Sequence, residues 1–340
     1  MVHLRWPALL AVLLAFGCDS SSGQGNAKPV SSTAPSAALS AAPIVSIPGV
    51  DLGPMTAREQ REWSDQLHAL LAPCPETPVN IAQCIAEKRA CKACTPAALY
   101  LLDAVRAGRS KQDREKAHAM RFDPKKVRTL DTDGSPELGP PDAPVTIVEW
   151  ADFECPACKA FYPILDDLVK RFPGQVRLVY KNYPLAVHPH GEIAARAGVA
   201  AARQGKFWEM HHLLFDNQDK LEQSDLEGYA KQLKLDFGKF RAEIGSDDTV
   251  ARIARDKRAA DDINLEATPT IFINGREVDT QLIDDPVGDL MKWVKLELEL
   301  AGIAPAKATA PATSASAGPE PTVSASAGPS SSASAGPSKK

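Results

Sequence analysis

The sequence predicts an α/β domain with a helical stretch inserted in it, preceded by a small all-α region and flanked by disordered tails. A strand-like apolar run at residues 145–150 leads through a Cys-X-X-Cys motif into a helix, and then into a second strand-like run at 175–180. Helical periodicity follows from 191 to about 265. Strand signals return at 270–279 around Asn274-Gly275, a typical hairpin turn. This order of elements predicts a parallel strand-helix-strand unit interrupted by a helical insert.

Residues 1–18 have the pattern of an export signal. Arg5 precedes an apolar run from Ala8 to Phe16 that is too short to span a bilayer. Gly17-Cys18 follows directly and resembles the lipobox of bacterial lipoproteins. We therefore predict a protein exported to the periplasm or cell envelope, with Cys18 lipidated and anchoring the chain to a membrane. Cleavage with release of the chain is the alternative.

Two segments have compositions that cannot form a packed core. Residues 19–54 are rich in Ser, Ala, Pro and Gly and are predicted to be a disordered linker. Residues 304–340 are similar, and Ser-Ala-Ser-Ala-Gly-Pro occurs there three times. The formal net charge of −4 offers no basic patch, so nucleic-acid binding is not predicted.

Residues 55–130 form the all-α region, in which Trp63 and Leu67 have helical spacing. The region contains four of the seven cysteines: Cys74, Cys84, Cys91 and Cys94. Three interpretations of these cysteines remain open. They are two structural disulfides, a redox relay that passes electrons between Cys91-Cys94 and the Cys-X-X-Cys motif at 155–158, and a four-thiolate zinc site. The disulfides are favoured because a small helical region buries little core.

The Cys155-Pro156-Ala157-Cys158 motif lies where the first strand meets the next helix. Backbone N–H groups at a helix start stabilise a thiolate, and two cysteines at this spacing can form a disulfide. Cys155 is predicted to be the more exposed cysteine and the nucleophile, and Cys158 the resolving thiol. Half of a zinc site and a static disulfide are the alternatives. The chain is predicted to need no cofactor or metal, and four histidines do not form a metal pattern: His188, His190, His211 and His212.

Four segments together resemble the DsbA-like thiol-disulfide oxidoreductases of the thioredoxin superfamily, in the order found there: 143–158 around the motif, Tyr183-Pro184-Leu185, Gly205-Lys206-Phe207-Trp208, and 267–275. The resemblance implies a thioredoxin-like fold over 139–303, with a helical insert at about 190–265. It also implies an enzyme that forms or exchanges disulfides in exported cysteine-containing proteins, together with a membrane or soluble redox partner.

The resemblance also implies roles for particular residues. Thr268-Pro269 corresponds to a cis-proline loop that would bind substrate together with Pro156 and Ala157. Glu149 corresponds to a buried acid beneath the cysteines, and Lys181 lies near the position of its basic partner. Burial would raise the pKa of Glu149 and a pair with Lys181 would lower it, so the direction stays open.

Ala157 stands where strong oxidants commonly have histidine, and it cannot donate a hydrogen bond or charge to a thiolate. The sequence therefore predicts a weaker oxidant. The direction of electron flow stays open, because a reductase or isomerase would use the same site. A non-catalytic lipoprotein that binds a ligand or handles a metal is the remaining alternative.

Overall fold

A computed structural model describes residues 42–306. The predicted signal, the lipidation of Cys18 and most of both predicted tails lie outside the described residues. No helix within 42–306 is long and apolar enough to cross a membrane.

The all-α region contains four helices. They are α1 (Ala57–Ala69), α2 (Ile81–Ala86), α3 (Cys94–Arg106) and α4 (Lys111–Phe122), followed by a 3-10 turn at Pro124–Lys126. Thr56, Asn80 and Ser110 cap three of them by accepting backbone N–H bonds. Trp63 and Leu67 are fully buried, as their spacing predicts.

The predicted linker extends too far toward the C-terminus, since its last residues pack on the helices. Ile47 is buried in the same cluster as Trp63, together with Met55, the first residue of the predicted all-α region. The backbone N–H of Val45 donates to Ser64 Oγ at 3.0 Å. The segment was predicted to be disordered because its average composition is dominated by Ser, Ala and Pro. A few apolar side chains at its end are nevertheless buried, and their burial holds the chain against α1.

Two disulfides close the all-α region: Cys74–Cys91 and Cys84–Cys94. Cys91 and Cys94 have different partners, which argues against a Cys91–Cys94 relay and leaves no thiolate for a four-thiolate zinc site. The structure therefore favours the two structural disulfides. The sulfurs of Cys84, Cys91 and Cys94 lie within 4.8 Å of one another, so the two bridges are neighbours.

This pairing predicts the outcome of a peptide map. Proteolysis of the oxidised chain without reductant is expected to release Cys74 linked to Cys91, and Cys84 linked to Cys94, with no stoichiometric zinc. A Cys91–Cys94 linkage, or one zinc ion per chain with four free thiols, would contradict the pairing.

The α/β part has a five-stranded sheet in the order β1-β3-β2-β4-β5. The strands are β1 (Glu137–Leu138), β2 (Val145–Ala151), β3 (Val176–Asn182), β4 (Thr270–Ile273) and β5 (Arg276–Val278). The parallel pair β2 and β3 is joined by α5 (Pro156–Arg171), and β4 and β5 form the hairpin predicted at Asn274-Gly275. The two-residue strand β1 was not predicted.

The helical insert and the final helix complete the fold. The insert comprises α6 (Gly191–Ala202), α7 (Phe207–Asp216), α8 (Gln223–Gln232), α9 (Phe237–Ile244) and α10 (Asp247–Asp261). The last helix is α11 (Pro286–Leu300). The five helices of the insert lie within the range of about 190–265 that the resemblance implies for it.

The sheet is covered on both faces, and each face takes alternate residues of the central strands. Ile147 and Leu178 pack with α5 and α11, whereas Val148 and Val179 pack with Ala260 of α10. Because side chains alternate along a strand, neighbouring residues of β2 and β3 belong to different cores. This alternation determines which polar side chains reach the cysteines.

Candidate active site

Cys155 is the N-cap of α5, and Cys158 lies in the first turn of the same helix. Pro156 occupies the first helical turn, where its missing N–H costs nothing. Cys155 is 6% exposed and Cys158 is fully buried, in agreement with their predicted order of exposure. Both are free thiols in the structure. An approaching disulfide therefore meets Cys155 first.

The Cys155 thiol is tuned to ionise. The side chain of Cys158 donates a hydrogen bond to it, and this bond is the largest cause that lowers the pKa of Cys155 to about 5. Burial acts in the opposite direction, but the backbone N–H groups of Cys158 and Ala157 lower the pKa further. A thiolate is therefore the dominant form of Cys155 at neutral pH.

The pKa of Cys158 is shifted in the opposite direction. Burial raises its pKa far above the usual thiol range, and the hydrogen bond to Cys155 and the charge of Glu149 add to that rise. The pair thus holds one thiolate and one thiol that stabilises it. This division separates a nucleophile from a resolving thiol.

Glu149 lies in β2, fully buried. Neither of its carboxylate oxygens has a hydrogen-bond partner among residues 42–306. Burial is the main cause that raises its pKa to about 8, and the charges of Asp166 and Cys155 contribute. The effect of burial on the pKa of Glu149 therefore dominates, and Glu149 is protonated at neutral pH. In this form it can exchange a proton with the buried thiol of Cys158.

The predicted partnership of Lys181 with Glu149 is wrong. In the parallel register Glu149 pairs with Tyr180, and Lys181 pairs with Trp150. Lys181 therefore points to the other face of the sheet, where its Nζ lies 3.6 Å from Asp256 Oδ1 in α10. Lys181 is fully buried there, on the face of the sheet away from Glu149.

The Thr268-Pro269 peptide bond is cis, as the resemblance implies. The carbonyl oxygen of Thr268 lies 3.4 Å from Cys155 Sγ, so the loop before β4 lies directly beside the nucleophile. Pro156 and Ala157 are exposed on the same helix start. Thr268, Pro156 and Ala157 therefore all lie beside Cys155.

Two residues of the site were missed from the sequence, Asp152 and His188. Asp152 is 1% exposed, and its carboxylate accepts bonds from the backbone N–H groups of Glu154 and Leu185. His188 Nδ1 lies 2.6 Å from Asp152 Oδ2. The pair was missed because the histidines were considered only as metal ligands.

Each of the other three histidines has its own environment. His190 contacts Glu154 and Glu222, His212 contacts Asp166 at 2.6 Å, and His211 is buried among aromatic rings. Within the described residues they do not converge on a common metal position.

The fold and the cysteine pair define a thioredoxin-like domain. A family model described as Thioredoxin matches residues 131–292. The matched range contains all four segments whose resemblance to the DsbA-like oxidoreductases is described above, and it excludes the N-terminal region with its four cysteines.

Curated relatives match part of this chain over a small part of their own, longer sequences. One is Na(+)/H(+) antiporter NhaA 3 of Salinispora tropica, 46% identical over 148 residues, which cover 43% of this chain and 22% of that protein. Another is Na(+)/H(+) antiporter NhaA of Herminiimonas arsenicoxydans, 43% identical over 140 residues, which cover 41% of this chain and 22% of that protein. The chain thus spans about a fifth of the length of these relatives.

Among solved structures, oxidised BdbD from Bacillus subtilis aligns with a TM-score of 0.46 at 26% identity, covering 51% of this chain and 97% of that chain. A thioredoxin-like oxidoreductase from Silicibacter pomeroyi DSS-3 aligns with the same TM-score and identity, covering 51% and 99%.

Proposed function

We propose that this chain is an exported thiol-disulfide oxidoreductase that forms or exchanges disulfides in extracytoplasmic proteins through Cys155 and Cys158. The observation that carries the proposal is that the pKa values of the two thiols are shifted in opposite directions. The pKa of Cys155 is lowered to about 5, and that of Cys158 is raised by burial. A static disulfide or a packing cysteine has no need of a stabilised thiolate.

The geometry supports a two-step exchange. A substrate thiolate attacks Cys155 Sγ of the oxidised pair, the Cys155–Cys158 bond breaks, and a mixed disulfide forms between substrate and Cys155. Cys158 leaves as a thiolate and takes up the proton of Glu149. A second substrate thiolate then attacks the substrate sulfur, forming the substrate disulfide and releasing the Cys155 thiolate.

Over the two steps the substrate loses two electrons and the cysteine pair gains them. A redox partner carrying a disulfide or another two-electron acceptor must then reoxidise the pair. Membrane attachment through Cys18 and export of the chain belong to the same proposal, and they are supported by the sequence pattern of residues 1–18.

Capture of mixed disulfides tests the proposal. In cells expressing a Cys158→Ala variant, exported proteins are expected to accumulate in reductant-sensitive complexes with Cys155, because no resolving thiol releases them. The Cys155→Ala/Cys158→Ala variant is the matched control and should capture nothing. Equal complexes from both variants, or none from either, would contradict the proposal and favour a non-catalytic binding protein.

The direction of electron flow is read from the wild-type chain in the same cells. Alkylation with a mass-tagged thiol reagent distinguishes an oxidised Cys155–Cys158 pair, expected of an oxidase, from a reduced pair, expected of a reductase or isomerase.

The dipeptide between the cysteines leads to a further prediction. Ala157 is exposed on the first turn of α5 and provides no side-chain donor. Ala157→His is expected to stabilise the reduced form and shift the equilibrium with glutathione by about tenfold, or about 30 mV, toward a more oxidising disulfide. Ala157→Gln is the control for side-chain size. An unchanged or more reducing Ala157→His variant would contradict this prediction.

A further inference from the structure

A cavity of about 320 Å³ lies where the all-α region meets the α/β part. Its walls come from α3, α4, β5, the segment after β5 and the first half of α11. None of the residues that line this junction cavity belongs to the cysteine site. Its volume is at the lower end of the range of small-molecule sites, so its size suits a small organic ligand.

Arg121 of α4 lies in the wall of the junction cavity without a partner for its charge. It is 8% exposed, and within residues 42–306 it forms no hydrogen bond and no ion pair. Arg114 in the same helix is also buried, but it bonds to Gln66, to Glu62 and to the backbone carbonyl of Arg109. Removing a guanidinium from water without an acceptor is costly. Arg121 therefore has capacity for an anion that the described residues do not supply.

Aromatic rings hold the Arg121 guanidinium in place. Its Cζ lies 5.0 Å from the centroid of the Tyr100 ring and 4.8 Å from that of the Trp293 ring. Ring faces attract the cation, but they are not the oxygen acceptors that the five N–H donors of arginine require. Trp293 Nε1 is also buried without an acceptor among residues 42–306. Two donors without partners therefore lie at the same wall, beside aromatic surface.

The other residues of the junction cavity select among anions. Six of them are acidic and only three besides Arg121 are basic, so an anion with several charges would be repelled. These acids do not compensate Arg121, because burial lowers its pKa more than nearby acidic groups, Asp289 and Asp103 among them, raise it. A single carboxylate matches the planar fork of one guanidinium. Met120, Val278 and other apolar side chains offer surface to the rest of such a ligand.

We propose that the junction cavity binds a small organic monocarboxylate, whose oxygens accept hydrogen bonds from Arg121 and whose apolar part packs against Trp293 and Val278. Arg121 is then a ligand-binding residue of a second site, located between the two parts of the chain. The inference does not depend on the proposed function, because neither cysteine of the exchanging pair takes part in it.

Titration of the unsubstituted chain with sodium benzoate is the first test, followed by NMR of the indole N–H groups. The Trp293 signal, identified by its loss in Trp293→Phe, is expected to shift saturably with a dissociation constant on the order of 1 mM. Benzamide has the same shape without the charge and should bind at least about tenfold more weakly. The other indole signals are the internal control. The absence of a saturable shift at Trp293, or equal binding of benzamide, would overturn the inference.

Substitution of Arg121 is the second test. Arg121→Gln is expected to weaken benzoate binding at least about tenfold, and Arg121→Lys, which keeps the charge but loses the fork, should bind with intermediate affinity. Tyr100→Phe is the matched control, since it keeps the ring beside Arg121 and should stay within about twofold of the wild type. Unchanged affinity in Arg121→Gln would overturn the inference. The indole titration of the unsubstituted chain decides the question even where a variant does not fold.

Cys155→Ser separates this inference from the proposed function. The variant should bind benzoate with the affinity of the wild type, although it exchanges no disulfides. Loss of benzoate binding in Cys155→Ser would place the carboxylate at the cysteine pair and overturn the second site. Failure of the wild type to exchange disulfides, with benzoate still bound at Arg121, would overturn the proposed function alone.

Discussion

Cys155→Ser is expected to abolish oxidation of a dithiol peptide by the chain, with a loss of about a thousandfold or more. Serine keeps the N-cap position of α5, but its oxygen cannot form the mixed disulfide through which electrons pass. The measurement is the initial rate of peptide oxidation in a glutathione buffer, followed by mass spectrometry.

Cys158→Ser is the matched control for that experiment. It retains the nucleophile, so it should react once with a peptide disulfide and stop as a stable mixed disulfide at Cys155. Unfolding curves for both variants separate loss of chemistry from loss of fold. If Cys155→Ser keeps more than a tenth of the activity, or if the trapped sulfur is Cys158, the assignment of the nucleophile is wrong.

Glu149→Gln is expected to stabilise the oxidised chain at pH 7 and to remove part of the pH dependence of its unfolding. The pKa of Glu149 is raised by burial from 4.5 to about 8, so the folded state keeps a proton that the unfolded state loses. Stability from this group is full below pH 4.5 and decreases as the pH rises toward 8. The decrease between pH 4 and pH 7 is on the order of 3 kcal/mol.

The oxidised form is used because Cys155 acts with the opposite sign in the reduced form. Its pKa is lowered from 9.0 to about 5, so its contribution to stability grows as the pH rises through that window. Denaturant unfolding of the wild type and Glu149→Gln at pH 4 and pH 7 measures the difference. Parallel pH dependence of the two chains would show that Glu149 is not buried as a protonated acid.

The central part of the fold could be predicted from the sequence because its signals are local. The apolar runs of β2 and β3, the helical face of α5 and the Asn274-Gly275 turn each specify an element within a few residues. The end of the linker was misplaced because the apolar residues near Ile47 are sparse and become meaningful only when α1 provides a surface for them.

The site could be predicted only as far as the motif and the resemblance extend. The burial of Glu149 follows from its apolar neighbours, but the face on which Lys181 lies depends on the register between β2 and β3. Pairing of the four N-terminal cysteines depends on how three helices pack, and spacing alone allows several pairings. The contact of His188 with Asp152 spans 36 residues and has no local signal.

Titration of the reduced cysteine pair tests the central claim most directly. Thiolate absorbance near 240 nm, with the Cys155→Ser variant as the blank, should show one group ionising with a pKa of about 5 and no further thiolate from Cys158 up to pH 9. That result is the one expected of an activated nucleophile beside a protonated resolving thiol. A first ionisation near pH 9, or one that persists in Cys155→Ser, would contradict it.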